Sequence, residues 1–218
     1  MALFDIFRRS SPIRDVAALA DFIDQRAAFL VQKGIYEYSR ARAAHYAKVL
    51  FRDPAFVAAS DNSRWRAYPM GLAMVAELVE GVLSPAETSE RLPQLEAIRT
   101  LVLAVFDRYP VPQTIGDQAW AELRAELEQR LGLIGLHSPK WAKDIPEAMW
   151  QAYFDTMPIH EKLRRPDALT IRNYLRVTLI NIHDELTKRL DVPAVAQSLR
   201  GSREWPNVGH APAAVAPN

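Results

Sequence analysis

Residues 181–189 read NIHDELTKR and set a histidine, His183, beside an aspartate, Asp184. An imidazole and a carboxylate within reach of each other can hold a divalent metal or relay a proton. A second group with chemical reach gathers in residues 36–68. There Tyr38, Arg40, His45, Trp65, Arg66 and Tyr68 belong to the densest mixture of aromatic and basic side chains in the chain. Such a mixture suits an anionic or aromatic ligand, or a partner helix, because arginines and aromatics dominate interface hot spots. His45 is the best single candidate for a ligand or base within it. The competing reading is a core histidine, with the aromatics packed inward and the arginines covering them with aliphatic stems.

The His183–Asp184 pair resembles that of metal-dependent phosphohydrolases of the HD type. Those enzymes add an upstream His and a later Asp from other helices. Here the Asp beyond the pair is Asp191, one or two helical turns on. Neighbouring residues on a helix diverge by about 100°, so the two side chains do not converge on one metal. The pair is therefore expected to be a border histidine and a solvent or interface aspartate. Glu-x-x-His, H-E-x-x-H, G-x-S-x-G, a Walker loop and a dinucleotide fingerprint are all missing from the sequence. Those motifs mark di-iron bundles, zincins, serine hydrolases and nucleotide enzymes. No metal and no cofactor is expected.

The elements that must position these residues are helical. Apolar residues make up 49% of the 218-residue chain and charged residues 24%, enough for a sizeable core. Eight glycines against fifteen prolines suit long elements with hard stops. Asp15 can cap a helix reaching about residue 52, with Val16, Ala20, Ile23, Ala27, Leu30, Gly34, Tyr38, Ala41, His45 and Val49 on one stripe. Gly34 costs about 1 kcal/mol there relative to Ala and marks a bend or a close helix crossing. After a polar break at SDNS (60–63), Trp65, Tyr68, Leu72, Val75 and Val79 start a second seam. Ser84, Pro85 and Glu87 form a capping box for a third, and Trp120, Leu123, Leu127 and Leu131 line a fourth over 117–131. Pro146 opens a short helix, and Asp167 caps a last long one over 167–190. The fold class is all-α, an irregular multi-helix bundle with two long helices at about 15–52 and 167–190. Its domain spans 12–199, with an internal boundary expected in GLIGLHSPKWAKDIP (132–146) and a disordered tail over 200–218.

On a wheel, residues 167–190 show Ile171, Leu175, Leu179, Ile182, Leu186 and Leu190 on one face and Leu169, Val177 and Ile180 on the other. A helix apolar on two sides is central in its bundle or part of a subunit interface. The central position is the expectation.

The balance of 27 basic against 26 acidic residues argues against a nucleic-acid binder. Zero cysteines fit a reducing cytoplasm, and MALFDIFRRSSP lacks the order of a secretory leader. Residues 1–11 read instead as an amphipathic segment, with Leu3, Phe4, Ile6 and Phe7 apolar and Arg8 and Arg9 following. This pattern resembles the short N-terminal membrane-targeting helix of the bacterial cell-division regulator MinE. The resemblance implies reversible contact with an anionic membrane surface on the cytoplasmic side. The functional expectation is a non-enzymatic helical module that binds a protein partner or a second copy of itself. The alternative is a small-molecule-binding protein or hydrolase with its pocket in residues 36–68.

Overall fold

The computed structural model describes residues 11–84 and 88–201. The proposed membrane contacts Leu3, Phe4, Ile6, Phe7, Arg8 and Arg9, the Pro85 and Glu87 cap positions and the tail from 202 lie outside them. Among the described residues every regular element is helical, and one isolated bridge joins Ile13 to Leu190. The chain is all-α. Helices run over Val16–Ala43 (α1), Ala47–Leu50 (α2), Pro54–Leu83 (α3), Thr88–Phe106 (α4), Asp117–Leu133 (α5), Trp150–Asp155 (α6), Glu161–Arg164 (α7), Ala168–Arg189 (α8) and Val192–Gly201 (α9).

The centre of the bundle is α3. Every residue from Ala67 to Glu80 is buried, because α1, α4, α5 and α8 surround it. The helix α1 runs antiparallel to α3, with Tyr36 near Phe56 through Phe51 and Asp24 against Tyr68. It also runs antiparallel to α8, with Arg26 on Glu185 and Tyr38 on Asp167. Antiparallel α4 meets α3 at Arg91–Glu80 and Phe106–Tyr68. It meets antiparallel α5 at Arg99–Glu128 and Asp107–Arg124. One end of the bundle therefore collects the starts of α1 and α4 and the finishes of α3, α5 and α8.

Three expectations of helix extent and burial change. The first long helix stops at Ala43, not near residue 52. Ala44 takes φ 47°, a conformation costly for a side chain with a Cβ, and a 3₁₀ turn leads into α2. Nothing in ARAAHYAK breaks a helix locally. The pull is tertiary: Phe51 turns back between Tyr36 (4.8 Å) and Phe56 (5.3 Å). Second, SDNS is no break but part of α3. Its polar side chains latch the 110–116 loop, with Thr114 Oγ1 donating to Asp61 (2.8 Å) and Asn62 Nδ2 to the Thr114 carbonyl (2.7 Å). Third, α8 is not central. Leu169, Val177 and Ile180 are 64%, 57% and 41% exposed.

Gly34 marks a close crossing. Tyr153 Oη donates to the Val31 carbonyl and Tyr174 Oη to the Leu30 carbonyl, both at 3.0 Å. A Cβ on Gly34 would lie 2.2 Å from Tyr153 Oη. Residues on both sides of the 132–146 segment, Leu131 and Met149 included, share one buried cluster, so the core runs across the expected boundary. Asp167 precedes α8 without capping it. Its carboxylate instead accepts from Tyr38 Oη (2.9 Å) and pairs with Arg42 (3.1 Å).

Candidate functional site

The aromatic and basic residues of 36–68 divide between separate places. Trp65 and Tyr68, one turn apart on α3, meet the end of α4 and the start of α5 in an aromatic cluster. Trp65 packs edge-on against Tyr68 (5.9 Å), Tyr109 (5.2 Å) and Trp120 (5.7 Å), while Phe106 stacks on Trp120 at 4.2 Å. The hub of the cluster is a carboxylate from α1. Asp24 Oδ1 accepts from Tyr68 Oη (2.7 Å) and Tyr109 Oη (2.8 Å). Arg108 lies 3.9 Å from its other oxygen and 3.0 Å from Asp21. Burial, then the neighbouring Asp24, push both phenols well above their ordinary range. Both tyrosines are thus hydrogen-bond donors at any physiological pH.

Beside this cluster lies a shallow, open groove of about 320 Å³, bounded by Asp61, Arg64, Trp65 and the 109–114 loop. The Arg64 guanidinium stacks on Trp65 at 4.6 Å and bonds Asp61 at 2.5 Å. Its buried Nε has no hydrogen-bond partner among the described residues. The groove has one indole wall and one guanidinium edge.

The other candidates are elsewhere. Tyr38 is buried at the far end of α1 against Asp167, and burial followed by that carboxylate raises its pKa to about 12. Arg40 is exposed. His45 is exposed too, its ring 4.0 Å from that of Tyr46, so it is not the core histidine of the helical stripe. Arg66 is exposed and donates to Asn62 at 2.9 Å. Arg40 and His45 do not line the groove that holds Trp65. A single cavity formed by Arg40, His45 and Trp65 is therefore not what the fold builds. The early end of α1 turns His45 out to solvent.

The His183–Asp184 pair stands at the surface, 3.7 Å apart with side chains 42% and 60% exposed. Its flanking arginines are used elsewhere: Arg172 forks onto Glu147 and Arg176 bonds the Lys143 carbonyl. Among the described residues no three His, Asp or Glu side chains converge to hold a metal ion.

Two features escaped the sequence reading. Asp24 and Tyr109 lie 85 positions apart, so no local spacing links them. Glu77 and Glu80 are buried on α3, one turn apart, Glu77 under the 137–140 segment and Glu80 against Arg91. Carboxylates set within the apolar run VAELVEGVL were the available signal for that pair. No family model matches the chain, and neither a curated protein nor a solved structure shows significant similarity to it.

Proposed function

We propose that the chain is a non-enzymatic helical interaction module, peripheral to an anionic membrane surface, that pairs with a second copy of itself through the outer face of α8. One observation carries the pairing: the apolar stripe Leu169, Val177 and Ile180 lies on solvent while the opposite face of the same helix fills the core. Isolated exposed apolar residues are ordinary, but a row of them along one helix is the pattern of an interface. The stripe is also self-complementary. About a two-fold axis between Val177 and Ile180, Asn173 comes opposite Asp184, and Leu169 opposite the stem of Lys188. Asn173 amide and Asp184 carboxylate then supply a donor and an acceptor at each rim.

The membrane half of the reading is supported by the sequence LFDIFRR. It agrees with the finding that no described helix is long and apolar enough to cross a bilayer. A single such segment gives reversible attachment. Because the chain has no cysteine, Ile180→Cys introduces a unique thiol for testing the pairing. Mild oxidation should give a disulfide-linked dimer from Ile180→Cys and none from a surface control such as Gln118→Cys on α5. Equal, slow cross-linking of both would reject the α8 face.

A second reading belongs to the groove beside Trp65. Its indole wall and the Arg64 guanidinium at its edge suit a small aromatic acid. Tryptophan fluorescence titrated with benzoate-type probes should saturate in the native chain and lose that response in Trp65→Phe. A linear, unsaturable response in both would remove this reading.

A further inference from the structure

The turn that leaves α5 is built with its polar side chains inward and its apolar ones outward. Lys140 Nζ lies 2.7 Å from Glu77 Oε1, and His137 Nε2 lies 3.6 Å from the same oxygen. Arg91 holds the neighbouring Glu80 at 3.0 Å and donates to the His137 carbonyl at 3.1 Å. Pro139 rests against Gly81 on α3. Gly135, at φ 88°, carries the chain over Leu95, where a Cβ would come within 2.4 Å of that side chain. The turn is therefore pinned onto α3 and α4 at several points. Its apolar residues gain nothing from the pinning: Leu136 is 76% exposed and Trp141 78%. Leu92, next to the pinning Arg91, is 75% exposed, and Leu133 at the end of α5 is 56% exposed.

This inverts the usual arrangement. Two carboxylates leave water, which is costly even when paired. A Trp and three Leu side chains stay in water, each forgoing about 1.5–3 kcal/mol of burial. Exposed tryptophan and leucine on a fixed projection, with Lys143 exposed beside them, is a composition that partitions into the interfacial layer of a bilayer. The place matters as much as the composition. The turn lies at the bundle end where α1 and α4 begin and α3, α5 and α8 finish. Residues 1–10 join the described chain at that end, at Ser11, whose carbonyl accepts from Arg189 Nε at 3.0 Å.

We propose that this end of the bundle meets an anionic bilayer, with Leu136 and Trp141 entering the interface as a second contact beside the N-terminal segment. The proposal rests on the membrane half of the function proposed above and adds a defined orientation to it. Two linked weak contacts bind far more tightly than one, since the second is made at high effective concentration. The outer face of α8, on the side of the bundle, is left free for its partner.

The test is flotation of the full chain with vesicles of phosphatidylcholine and phosphatidylglycerol, compared with phosphatidylcholine alone. Native protein should float with the anionic vesicles. The variant Leu136→Glu/Trp141→Glu should bind about tenfold more weakly, the loss expected for two interfacial side chains. Both residues are exposed, and an unchanged circular-dichroism melt would confirm folding. Brominated lipid should quench a fluorescence component that disappears in Trp141→Phe. Native-like flotation of the double variant, with quenching unchanged in Trp141→Phe, would overturn the proposal and leave the turn to a protein partner. If flotation then depends on residues 1–9 alone, the membrane reading stands and only the second contact falls. No flotation of the native chain would overturn both.

Discussion

Helices α3 and α8 look alike as sequence and differ in the fold. Each carries apolar residues on more than one face. From Ala67 to Glu80 all faces of α3 are covered, and its two charged core residues, Glu77 and Glu80, need cationic partners brought from other segments. In α8 one face is covered, and the other presents Leu169, Val177 and Ile180 to water. An apolar pattern therefore tells how many partners a helix needs, and not whether the same chain supplies them. For the 67–80 stretch of α3 the chain supplies every partner. For α8 it supplies half, and the remainder is the argument for a second copy.

The largest effect that would sharpen this contrast is at the buried carboxylate. Arg91→Ala leaves Glu80 unpaired inside the protein and should cost about 3–5 kcal/mol in urea unfolding. A loss under about 1 kcal/mol would mean that the Glu80 side of α3 is wetter than described. Next come matched truncations on the two helices. Leu72→Ala in α3 should cost about 2–5 kcal/mol. Val177→Ala in α8 should stay within about 0.5 kcal/mol for the monomer. Comparable losses at the two sites would break the comparison outright.

A smaller effect separates glycines. Gly34→Ala drives a methyl from α1 into Tyr153 of α6 and Tyr174 of α8. It should lower stability by about 1–3 kcal/mol. Gly132→Ala, on α5 with nothing within 4 Å, should raise it by about 0.5–1 kcal/mol. A stabilised Gly34→Ala would show that the crossing is looser than the tyrosine contacts imply. The smallest effect belongs to the residues that first suggested chemistry. Asp184→Ala should change monomer stability by less than about 0.5 kcal/mol, because the pair is solvated.

What the sequence made legible follows from how local each cause is. The ends of α5 and α8 fall within two residues of their expected places because an apolar seam and a terminal break coincide there. The end of α1 was hidden: ARAAHYAK is good helix sequence, and the break comes from Phe51 folding back onto Tyr36. The start of α3 was hidden in the opposite sense, since Asp61 and Asn62 look like loop but are latches for Thr114. Of the candidate residues, Trp65 and Tyr68 touch, as their one-turn spacing on α3 allows. Asp24 and Tyr109 reach them only through packing. Tyr38, Arg40 and His45 were grouped with them by the density of aromatic and basic residues in 36–68, and the stripe that placed His45 inward ends at Ala43. The stripe Leu169, Val177 and Ile180 was visible as residues, and its exposure only as structure.

The most direct test of the central claim is sedimentation of the full chain at micromolar concentration, beside Val177→Glu/Ile180→Glu. The α8 account predicts a dimer for the native chain and a folded monomer for the variant. A native chain that sediments as a single monomeric species, or a variant that remains dimeric, would contradict it.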